Sequence, residues 1–322
     1  MNLGGVIHLN KTGICIVCGC IFILFLYVFS KNGYQNTSKN SVNLKDILKV
    51  SVSAAESGGM EVVSTHDIKI EMKGKTKEGA NDSVTTADFN SHCAMIALLK
   101  HSLPNVKIIS EEKTSCEHYQ KVANKSTNIG GFESLEDFFV NSWDITIWID
   151  PLDATQEYTE RLTDYVTTMV CVAVKGEPVI GVIHKPFSKE TYWAWIENGK
   201  SSNLINAMPA KKEQTKFIIS RSHSGKIREL INHKFADSSV TEAGGAGYKV
   251  LEVIKGNADV YIHSTAIKKW DVCAGNAILK GVGGKMTTLY GNNIMYGSDL
   301  PVENAKGLIA TMRDHEKYLQ KL

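Results

Sequence analysis

The sequence predicts a mixed α/β fold, and three stretches of the chain support this prediction. Residues 216–281 alternate between short, β-rich apolar segments and segments with apolar residues at helical spacing, which is the pattern of helices layered on a sheet. Residues 166–196 hold three β-rich runs separated by turns, and such runs predict a meander of strands. Residues 44–101 contain two segments with an apolar helical face. Helices and strands are therefore expected in both halves of the chain.

In the first half, apolar residues at helical spacing predict a helix over 44–55 and a second helix over 85–101, which ends before Pro104. The Lys-, Gly- and Glu-rich stretch 71–82 is predicted to be a mobile loop. The polar stretch 113–142 is expected to be irregular. Strands are predicted, in chain order, at 106–109, 145–149, 166–174, 179–184 and 191–196.

The second half follows a polar link over residues 198–215. Its predicted elements are a strand at 216–220, a helix at 223–233, a strand at 238–242, a helix at 245–255, a strand at 258–262 and a helix at 271–281. With 322 residues, of which 43% are hydrophobic, the chain is large enough for two cores that share a cleft. We therefore expect one half at 44–215 and another at 216–322.

An uncharged apolar run, from residue 13 to residue 29, precedes this α/β region. Its length of about 17 residues is near the lower limit for a helix that spans the hydrocarbon layer of a membrane. We expect 13–30 to be an uncleaved transmembrane signal anchor, after a short cytosolic tail at 1–12 and before a flexible stem at 31–43. A cleaved signal peptide is the alternative, because Val28-Phe-Ser30 resembles a weak cleavage site.

Charge and cysteine content narrow the possible functions. A net charge of +2 gives no overall positive field, so a nucleic acid polymer is not expected as a partner. The cysteines beyond the apolar run form no Cys-x-x-Cys pair, which argues against zinc. They are Cys93, Cys116, Cys171 and Cys273. If this part of the chain is lumenal, one or two disulfides of unassigned pairing are expected. Asn36, Asn81 and Asn124 are then acceptor sites for N-glycosylation.

The clearest chemical feature is the pair of acids in Asp150-Pro-Leu-Asp153, which follows the predicted strand 145–149. Carboxylates at the carboxyl end of a strand lie where ligands bind in α/β sheets. Three further acids stand where predicted elements begin or end: Asp88, Glu111 and Asp271. Each acid taken alone also fits a helix cap or a turn. Together, on different segments, they predict a single acidic cleft.

Clustered carboxylates are costly to bury and repel a phosphate unless a cation compensates them. An all-oxygen ligand set without His or Cys favours a hard ion, Mg²⁺ before Mn²⁺ or Ca²⁺. Two such ions can hold an attacking water and a leaving oxygen for in-line displacement. The acids therefore predict metal-assisted transfer of a phosphoryl group to water.

These residues resemble the motifs of a known family. In chain order, Val-Thr-Thr-Ala-Asp at 84–88, Glu-Glu at 111–112, Asp-Pro-Leu-Asp-Ala-Thr at 150–155 and Trp-Asp-x-x-Ala-Gly at 270–275 are similar to the motifs of the inositol monophosphatase family. The resemblance runs from residue 44 to the C-terminus. It implies a layered αβαβα sandwich, a magnesium-dependent and lithium-sensitive phosphatase activity, and two or three Mg²⁺ ions. Ser110 and Ala154 depart from the family, which usually has Gly at both positions.

The resemblance also implies a role for each site residue. The metal ligands would be Glu111, Asp150, Asp153, Asp271 and the backbone carbonyl of Leu152. Asp88 and Thr155 would orient and deprotonate the attacking water, while the backbone N–H groups of Ala154 and Thr155 would bind the phosphate. Further substrate contacts are expected from Ser222, His223, Lys249 and Lys269, with Arg221 and Lys268 as additional candidate cations. His223 and Lys249 are the favoured pair among these cations.

Within the family, three segments are most similar to a Golgi-resident branch that acts on adenosine 3′,5′-bisphosphate and has an N-terminal membrane anchor. They are 220–225, 244–249 and 267–279. This similarity implies a single-pass type II Golgi membrane protein with a lumenal catalytic part. Its role would be to convert a by-product of sulfotransferases to AMP and phosphate. Members of the family often dimerise, so a homodimer is a further expectation, although the sequence does not give the oligomeric state.

Two other functions are compatible with the same residues. The first is the same chemistry on inositol monophosphate or a sugar phosphate, because the metal ligands determine the reaction and not the substrate. The second is an inactive, membrane-tethered protein that binds anions as a scaffold. Such a protein would be expected to lack a metal carboxylate or the reactive threonine, and this chain has all of them.

Overall fold

The computed structural model describes residues 19, 21–24, 40–75, 81–117, 131–204, 214–222 and 226–322. The predicted tail and most of the predicted anchor and stem lie outside these residues and stay predictions. Residues 19 and 21–24 are helical, and the side chains of 21–24 are exposed. Within the part of the chain that is described, no helix is both long enough and apolar enough to cross a membrane. Val42–Leu322 form a compact unit of their own.

The helices of this unit are α1 (Leu44–Ser64), α2 (Thr86–Ser102), α3 (Thr155–Thr159), α4 (Ile227–Lys234), α5 (Ala246–Ile254), α6 (Lys269–Gly281) and α7 (His315–Lys321). The strands are β1 (Ser41–Asn43), β2 (Ile70–Lys75), β3 (Asn81–Thr85), β4 (Lys107–Ser110), β5 (Phe139–Asn141), β6 (Ile145–Asp153), β7 (Thr167–Val174), β8 (Glu177–Lys185), β9 (Glu190–Trp195), β10 (Gly199–Lys200), β11 (Thr215–Ser220), β12 (Ser238–Ala243), β13 (Val260–His263), β14 (Ile267–Lys268), β15 (Lys285–Thr287), β16 (Glu303–Asn304) and β17 (Leu308–Thr311).

Helices and sheets alternate in five layers. Helices α1 and α2 pack together and cover one face of a six-stranded sheet of order β10-β9-β8-β7-β6-β4. Helices α5 and α6 fill the space between this sheet and a five-stranded sheet of order β12-β11-β13-β17-β15. Helices α4 and α7 cover the outer face of the five-stranded sheet. The predicted mixed α/β fold with αβαβα layering is therefore confirmed.

The six-stranded sheet positions the acidic motif. All nine residues of β6 are buried, and β6 pairs in parallel with β4 and antiparallel with β7. Ser110 at the end of β4 is in register with Ile149 of β6. Glu111 and Asp150 are the residues that follow these two, so they lie next to each other at the carboxyl end of β4.

Two predicted elements differ from the observed ones. The stretch 71–82, predicted to be a mobile loop, contributes to an antiparallel pair formed by β2 and β3, with residues 76–80 outside the described part. Hydrogen bonds between the two backbones hold this pair together, so a polar composition did not exclude strands. Helix α1 continues past residue 55 to Ser64. Gly58 allows the helix to approach α2 closely, since a Cβ there would lie 2.6 Å from Ser91 Oγ.

Two disulfides connect the layers. Cys93 of α2 is bonded to Cys116 in the segment after β4, and Cys171 of β7 is bonded to Cys273 of α6. The loops that they close span 23 and 102 residues, so each disulfide stabilises the fold by on the order of 3 to 5 kcal/mol. The sequence indicated one or two disulfides, and the structure supplies the pairing.

Candidate active site

A cavity of about 730 Å³ lies at the carboxyl ends of β6, β11, β12 and β13. This volume is in the range of sites for small ligands. The predicted site residues that line it are Glu111, Asp150, Leu152, Asp153, Ala154, Thr155, Ser222, Lys249 and Asp271. The cavity therefore gathers most of the predicted residues from both halves of the chain.

The turn that follows β6 fixes the acidic motif. The Leu152 N–H donates a hydrogen bond to Asp150 Oδ1 at 3.2 Å, which holds that carboxylate against its own turn. Ala154 is in the left-handed region with φ of 70°, and α3 begins immediately after it. A left-handed conformation costs a residue with a Cβ about 1 to 2 kcal/mol. The glycine that the family usually has at this position would avoid that cost.

Glu111, Asp150 and Asp271 bring carboxylate oxygens within 4.8 Å of one another. Burial raises the pKa of Glu111 to about 7. Burial and the neighbouring charges of Glu111 and Asp153 raise the pKa values of Asp150 and Asp271 well above their usual range. Each of these acids is therefore costly to ionise at neutral pH without a compensating cation.

The donor set of this cluster fits Mg²⁺. All of its ligand atoms are carboxylate oxygens, which hard divalent cations prefer. The Lys73 ammonium, from the β2–β3 pair, already compensates part of the charge, since it contacts Glu111 Oε1 at 3.1 Å and also Glu112. Burial lowers the pKa of Lys73, but these two carboxylates raise it on balance, so Lys73 is charged.

Asp153 is held differently from the other acids. Its Oδ1 accepts a hydrogen bond from the Ala246 N–H at 3.1 Å, and its Oδ2 accepts from the Gly247 N–H at 2.8 Å and from Thr167 Oγ1 at 3.2 Å. The carboxylate thus caps the N-terminus of α5, where negative charge is favoured. The structure does not bring Asp153 into the cluster of three, and its predicted role as a metal ligand stays a prediction.

Asp88 and Thr155 form a hydrogen-bonded pair beside the cluster. Thr155 Oγ1 lies 3.1 Å from Asp88 Oδ1 and 3.1 Å from the Leu152 carbonyl oxygen. Asp88 Oδ2 accepts hydrogen bonds from the N–H and hydroxyl of Thr85 at 2.8 and 2.6 Å, which closes a capping box at the start of α2. Burial raises the pKa of Asp88 to about 6. A carboxylate in this environment can accept a proton near neutral pH.

Lys249 forms the basic end of the cavity, close to the acids, since the charges of Asp153, Glu157 and Asp271 all act to raise its pKa. Its side chain is buried on α5, and its ammonium donates to the carbonyl oxygens of Gly245 at 2.5 Å and Ala243 at 3.4 Å. It also lies 5.3 Å from the ring centroid of Tyr261. Burial lowers the pKa of Lys249 to about 8. The site therefore holds a buried cation close to its anionic cluster in one cavity.

The other predicted substrate residues differ in placement. Ser222 lines the cavity, and His223 lies outside the described residues. Lys269 is buried and turned away from the cavity, with its ammonium 5.8 Å from the Trp148 ring, whereas the neighbouring Lys268 lines the cavity. This placement does not support Lys269 as a substrate contact. Arg221 forms ion pairs with Glu157 of α3 and with Glu160, which follows that helix.

Sequence reasoning missed four cavity residues. Lys73 was assigned to a mobile loop, although it approaches the acidic cluster. Tyr261 and His263 lie two residues apart on β13, and both line the cavity. The sequence could have indicated them, because ligands bind at the carboxyl ends of strands in α/β sheets. Trp270 precedes the motif residue Asp271 and also lines the cavity. The Tyr261 hydroxyl is buried and has no hydrogen-bond partner among the described residues.

Comparison with known proteins gives a consistent result. A sequence profile of the Inositol monophosphatase family matches residues 43–322. Inositol monophosphatase 3 of Xenopus tropicalis is 47% identical over 297 residues, which cover 88% of this chain and 82% of the relative. Golgi-resident adenosine 3′,5′-bisphosphate 3′-phosphatase of Mus musculus is 44% identical over 302 residues, with coverage of 88% and 82%.

A solved structure shows the same fold. The extragenic suppressor protein suhB from Bartonella henselae matches with a TM-score of 0.66 at 19% identity, over 86% of this chain and 97% of that chain. At this level of identity the match shows the arrangement of layers and strands, and it carries no information about the substrate.

Proposed function

The chain belongs to the inositol monophosphatase family, and on that premise we propose that it is a magnesium-dependent phosphomonoesterase acting on adenosine 3′,5′-bisphosphate. The products are AMP and phosphate. The observation that carries this proposal is the Thr155–Asp88 pair beside the cluster of Glu111, Asp150 and Asp271 in one cavity. A general base next to a cation site is the arrangement that hydrolysis of a phosphate ester requires.

The metal centre is assigned to Glu111, Asp150, Asp271 and the Leu152 carbonyl, with Asp153 as a further predicted ligand. Bound there, two or three Mg²⁺ ions supply Lewis acidity toward the phosphate oxygens and the attacking water. The Leu152 carbonyl oxygen accepts a hydrogen bond from Thr155 in the structure. Thr155 and the proposed metal ligands Asp150 and Leu152 are therefore parts of one turn.

The proton moves through residues of this chain. Asp88 is fixed by two hydrogen bonds from Thr85 and accepts the hydroxyl proton of Thr155. Thr155 can then take a proton from the attacking water as its oxygen forms a bond to phosphorus. The bond from phosphorus to O3′ breaks, the leaving oxygen takes a proton from solvent water, and Asp88 returns its proton to the solvent. The proposed backbone contacts from Ala154 and Thr155 would orient the phosphate during this displacement.

The second phosphate of the substrate is assigned to the Lys249 end of the cavity. The ammonium of Lys249 is buried, its hydrogen bonds go to backbone carbonyls, and it lines the cavity, so a phosphate oxygen there would gain a charge-assisted hydrogen bond. Ser222 lines the same end. Relatives named as an inositol monophosphatase and as a bisphosphate 3′-phosphatase both occur at 44 to 47% identity, and the Lys249 cation favours the second activity.

We place the enzyme in the Golgi membrane as a single-pass type II protein with residues 13–30 as anchor and Val42–Leu322 in the lumen. Relatives named as Golgi-resident support this location. The two disulfides support a lumenal catalytic unit, because disulfides persist in oxidising compartments. There it would remove a nucleotide by-product of sulfation. N-glycosylation at Asn36, Asn81 or Asn124 follows from the same topology, and a homodimer stays a proposal from the family.

The experiment uses the full chain purified in detergent, with phosphate release measured in parallel from adenosine 3′,5′-bisphosphate, inositol 1-phosphate and a sugar phosphate. The Asp150→Asn variant is the blank, and each reaction is repeated with EDTA and with lithium. We expect Mg²⁺-dependent, lithium-inhibited release from the nucleotide, with AMP as the second product.

Faster release from inositol 1-phosphate or the sugar phosphate would reject the nucleotide and keep the metal chemistry. Equal release in EDTA would reject the metal centre. A folded chain that binds Mg²⁺ but releases phosphate from none of the three compounds would favour the scaffold function.

A further inference from the structure

The segment that carries Glu111 has little structure of its own. Residues 111–117 contain no helix or strand, yet Glu111 supplies one of the three clustered carboxylates. Its backbone is joined to the sheet by the Glu111 N–H, which donates to the Ile149 carbonyl at 3.2 Å. The position of the rest of the segment depends on contacts outside the sheet.

Those contacts converge on two adjacent residues of α2. His92 Nδ1 is hydrogen-bonded to Ser110 Oγ at 2.8 Å, immediately before Glu111. The backbone of Thr114 also bonds to His92. One residue further along the helix, Cys93 is linked to Cys116. The segment is therefore attached to α2 through Ser110, Thr114 and Cys116, about one helical turn after Asp88.

This attachment opposes a repulsive force. The carboxylate of Glu111 lies near those of Asp150 and Asp271, and their negative charges repel one another wherever no cation neutralises them. Lys73 offsets part of this repulsion. An unattached segment would relax by moving Glu111 outward, whereas Asp150 and Asp271 are fixed at the ends of β6 and α6. Affinity for a cation is higher when its ligands are already in place.

We propose that the Cys93–Cys116 disulfide is a positioning element of the metal centre, which keeps Glu111 in the carboxylate cluster and thereby sets the affinity for divalent cations. The proposal rests on the metal-dependent function proposed above. Cys93 and Cys116 do not contact the substrate or the reacting atoms. They act through the segment that carries Glu111.

The second disulfide provides an internal control. Cys171 and Cys273 are 1% and 0% exposed in the main core, so a reductant cannot reach them in the folded protein. Cys116 is partly exposed, which makes the first disulfide the accessible one. Mild reduction of the native protein should therefore open Cys93–Cys116 alone.

The test measures binding of Mg²⁺ alone, by isothermal titration calorimetry on the full chain in detergent, before and after mild reduction. Mass spectrometry of alkylated peptides establishes which disulfide has opened. We expect the dissociation constant for Mg²⁺ to rise about tenfold on reduction, as for other residues that orient metal ligands. It should return when oxidised glutathione restores the bond.

A double variant, Cys93→Ser with Cys116→Ser, should show the same weakened affinity and no response to reductant, whereas Ser115→Ala, a change in the same segment, should bind Mg²⁺ as the native chain does. If the double variant does not fold, the reversible reduction decides alone. Unchanged Mg²⁺ affinity in protein shown to have Cys93 and Cys116 reduced would overturn the proposal. No Mg²⁺ binding by the oxidised chain would overturn the proposed function as well.

Discussion

The two ends of the cavity differ in how their charged groups are held. At the acidic end, short side chains are fixed by backbone groups of adjacent turns: the Leu152 N–H binds Asp150, and the Lys268 N–H binds Asp271 at 3.1 Å. At the basic end, the direction of a long side chain depends on its packing. Lys249 turns toward the cavity, and Lys269 turns onto Trp148. Local sequence thus determines the acidic end, and tertiary contacts determine the basic end.

The largest expected effect comes from Asp150→Asn at the acidic end. Activity should fall at least about 10³-fold, equivalent to about 4 kcal/mol of the barrier, because one ligand of the metal centre loses its charge. The metal-free protein should nevertheless become more stable, since a buried carboxylate that is repelled by Glu111 is removed. Thermal unfolding in EDTA should show a rise in Tm on the order of 2 to 4 °C. An unchanged or lower Tm would contradict this account of the acidic end.

The Asp150→Asn variant also predicts how the stability of the metal-free protein depends on pH. The pKa of Asp150 is raised in the folded state. Above the unfolded pKa of about 4, the unfolded chain therefore releases a proton that the folded chain still holds, and the metal-free protein loses stability. The cost increases as pH rises toward the folded pKa. The Tm advantage of Asp150→Asn over the native chain in EDTA should therefore grow between pH 4.5 and 7.5. Saturating Mg²⁺ should remove the advantage at every pH.

Thr155→Val should lower kcat about 100-fold and leave Mg²⁺ affinity unchanged, because the hydroxyl relays the proton and its removal leaves the carboxylate cluster intact. Asp88 also loses a hydrogen bond that lowers its pKa, so the acid limb of the kcat profile should move to higher pH. Thr155→Ser retains the hydroxyl and is the matched control. If serine and valine at this position gave equal rates, the hydroxyl would have no part in the reaction.

The difference between the acidic and the basic end of the cavity explains how much of the site could be predicted from the sequence. Asp88, Asp150 and Asp271 belong to motifs at the ends of helices and strands. The side chain of an aspartate is short, so the position of its backbone largely determines where its carboxylate lies. The direction of the Lys269 side chain was not predictable, because four rotatable bonds allow a lysine to reach either side of its helix, and only the position of Trp148 shows which side is used. Lys73 was missed because strand pairing of β2 with β3, which brings it near Glu111, has no alternating apolar pattern.

Lys249→Met tests the basic end with a change that keeps the volume of the side chain. KM for adenosine 3′,5′-bisphosphate should rise at least about tenfold, because a charge-assisted hydrogen bond is worth about 1.5 to 3 kcal/mol, while KM for 3′-AMP should change little. Because the pKa of Lys249 is about 8, KM of the native chain should rise as pH passes above that value. Lys269→Met is the control and should change KM by no more than about threefold. Equal effects of Lys249→Met and Lys269→Met on KM would contradict the conclusion that only Lys249 is directed toward the substrate.

Tyr261→Phe should produce the smallest effect on KM. The variant tests whether the Tyr261 hydroxyl binds substrate or stabilises the fold. The Tyr261 hydroxyl is buried without a hydrogen-bond partner among the described residues, so its removal should leave the free protein equally stable or slightly more stable. In the complex, a polar atom of the substrate is the expected partner, and KM should rise about fivefold, near 1 kcal/mol.

Tyr296→Phe is the matched control, because Tyr296 is also fully buried but lies outside the cavity lining and accepts a hydrogen bond from Asn276 Nδ2 at 2.9 Å. That variant should lower Tm and leave KM unchanged, which is the opposite pattern. Thermal unfolding and steady-state kinetics on the two variants decide the matter. A loss of stability in Tyr261→Phe without a change in KM would show that its hydroxyl serves the fold, and the basic end would then consist of Lys249 and its neighbours on α5 and β11.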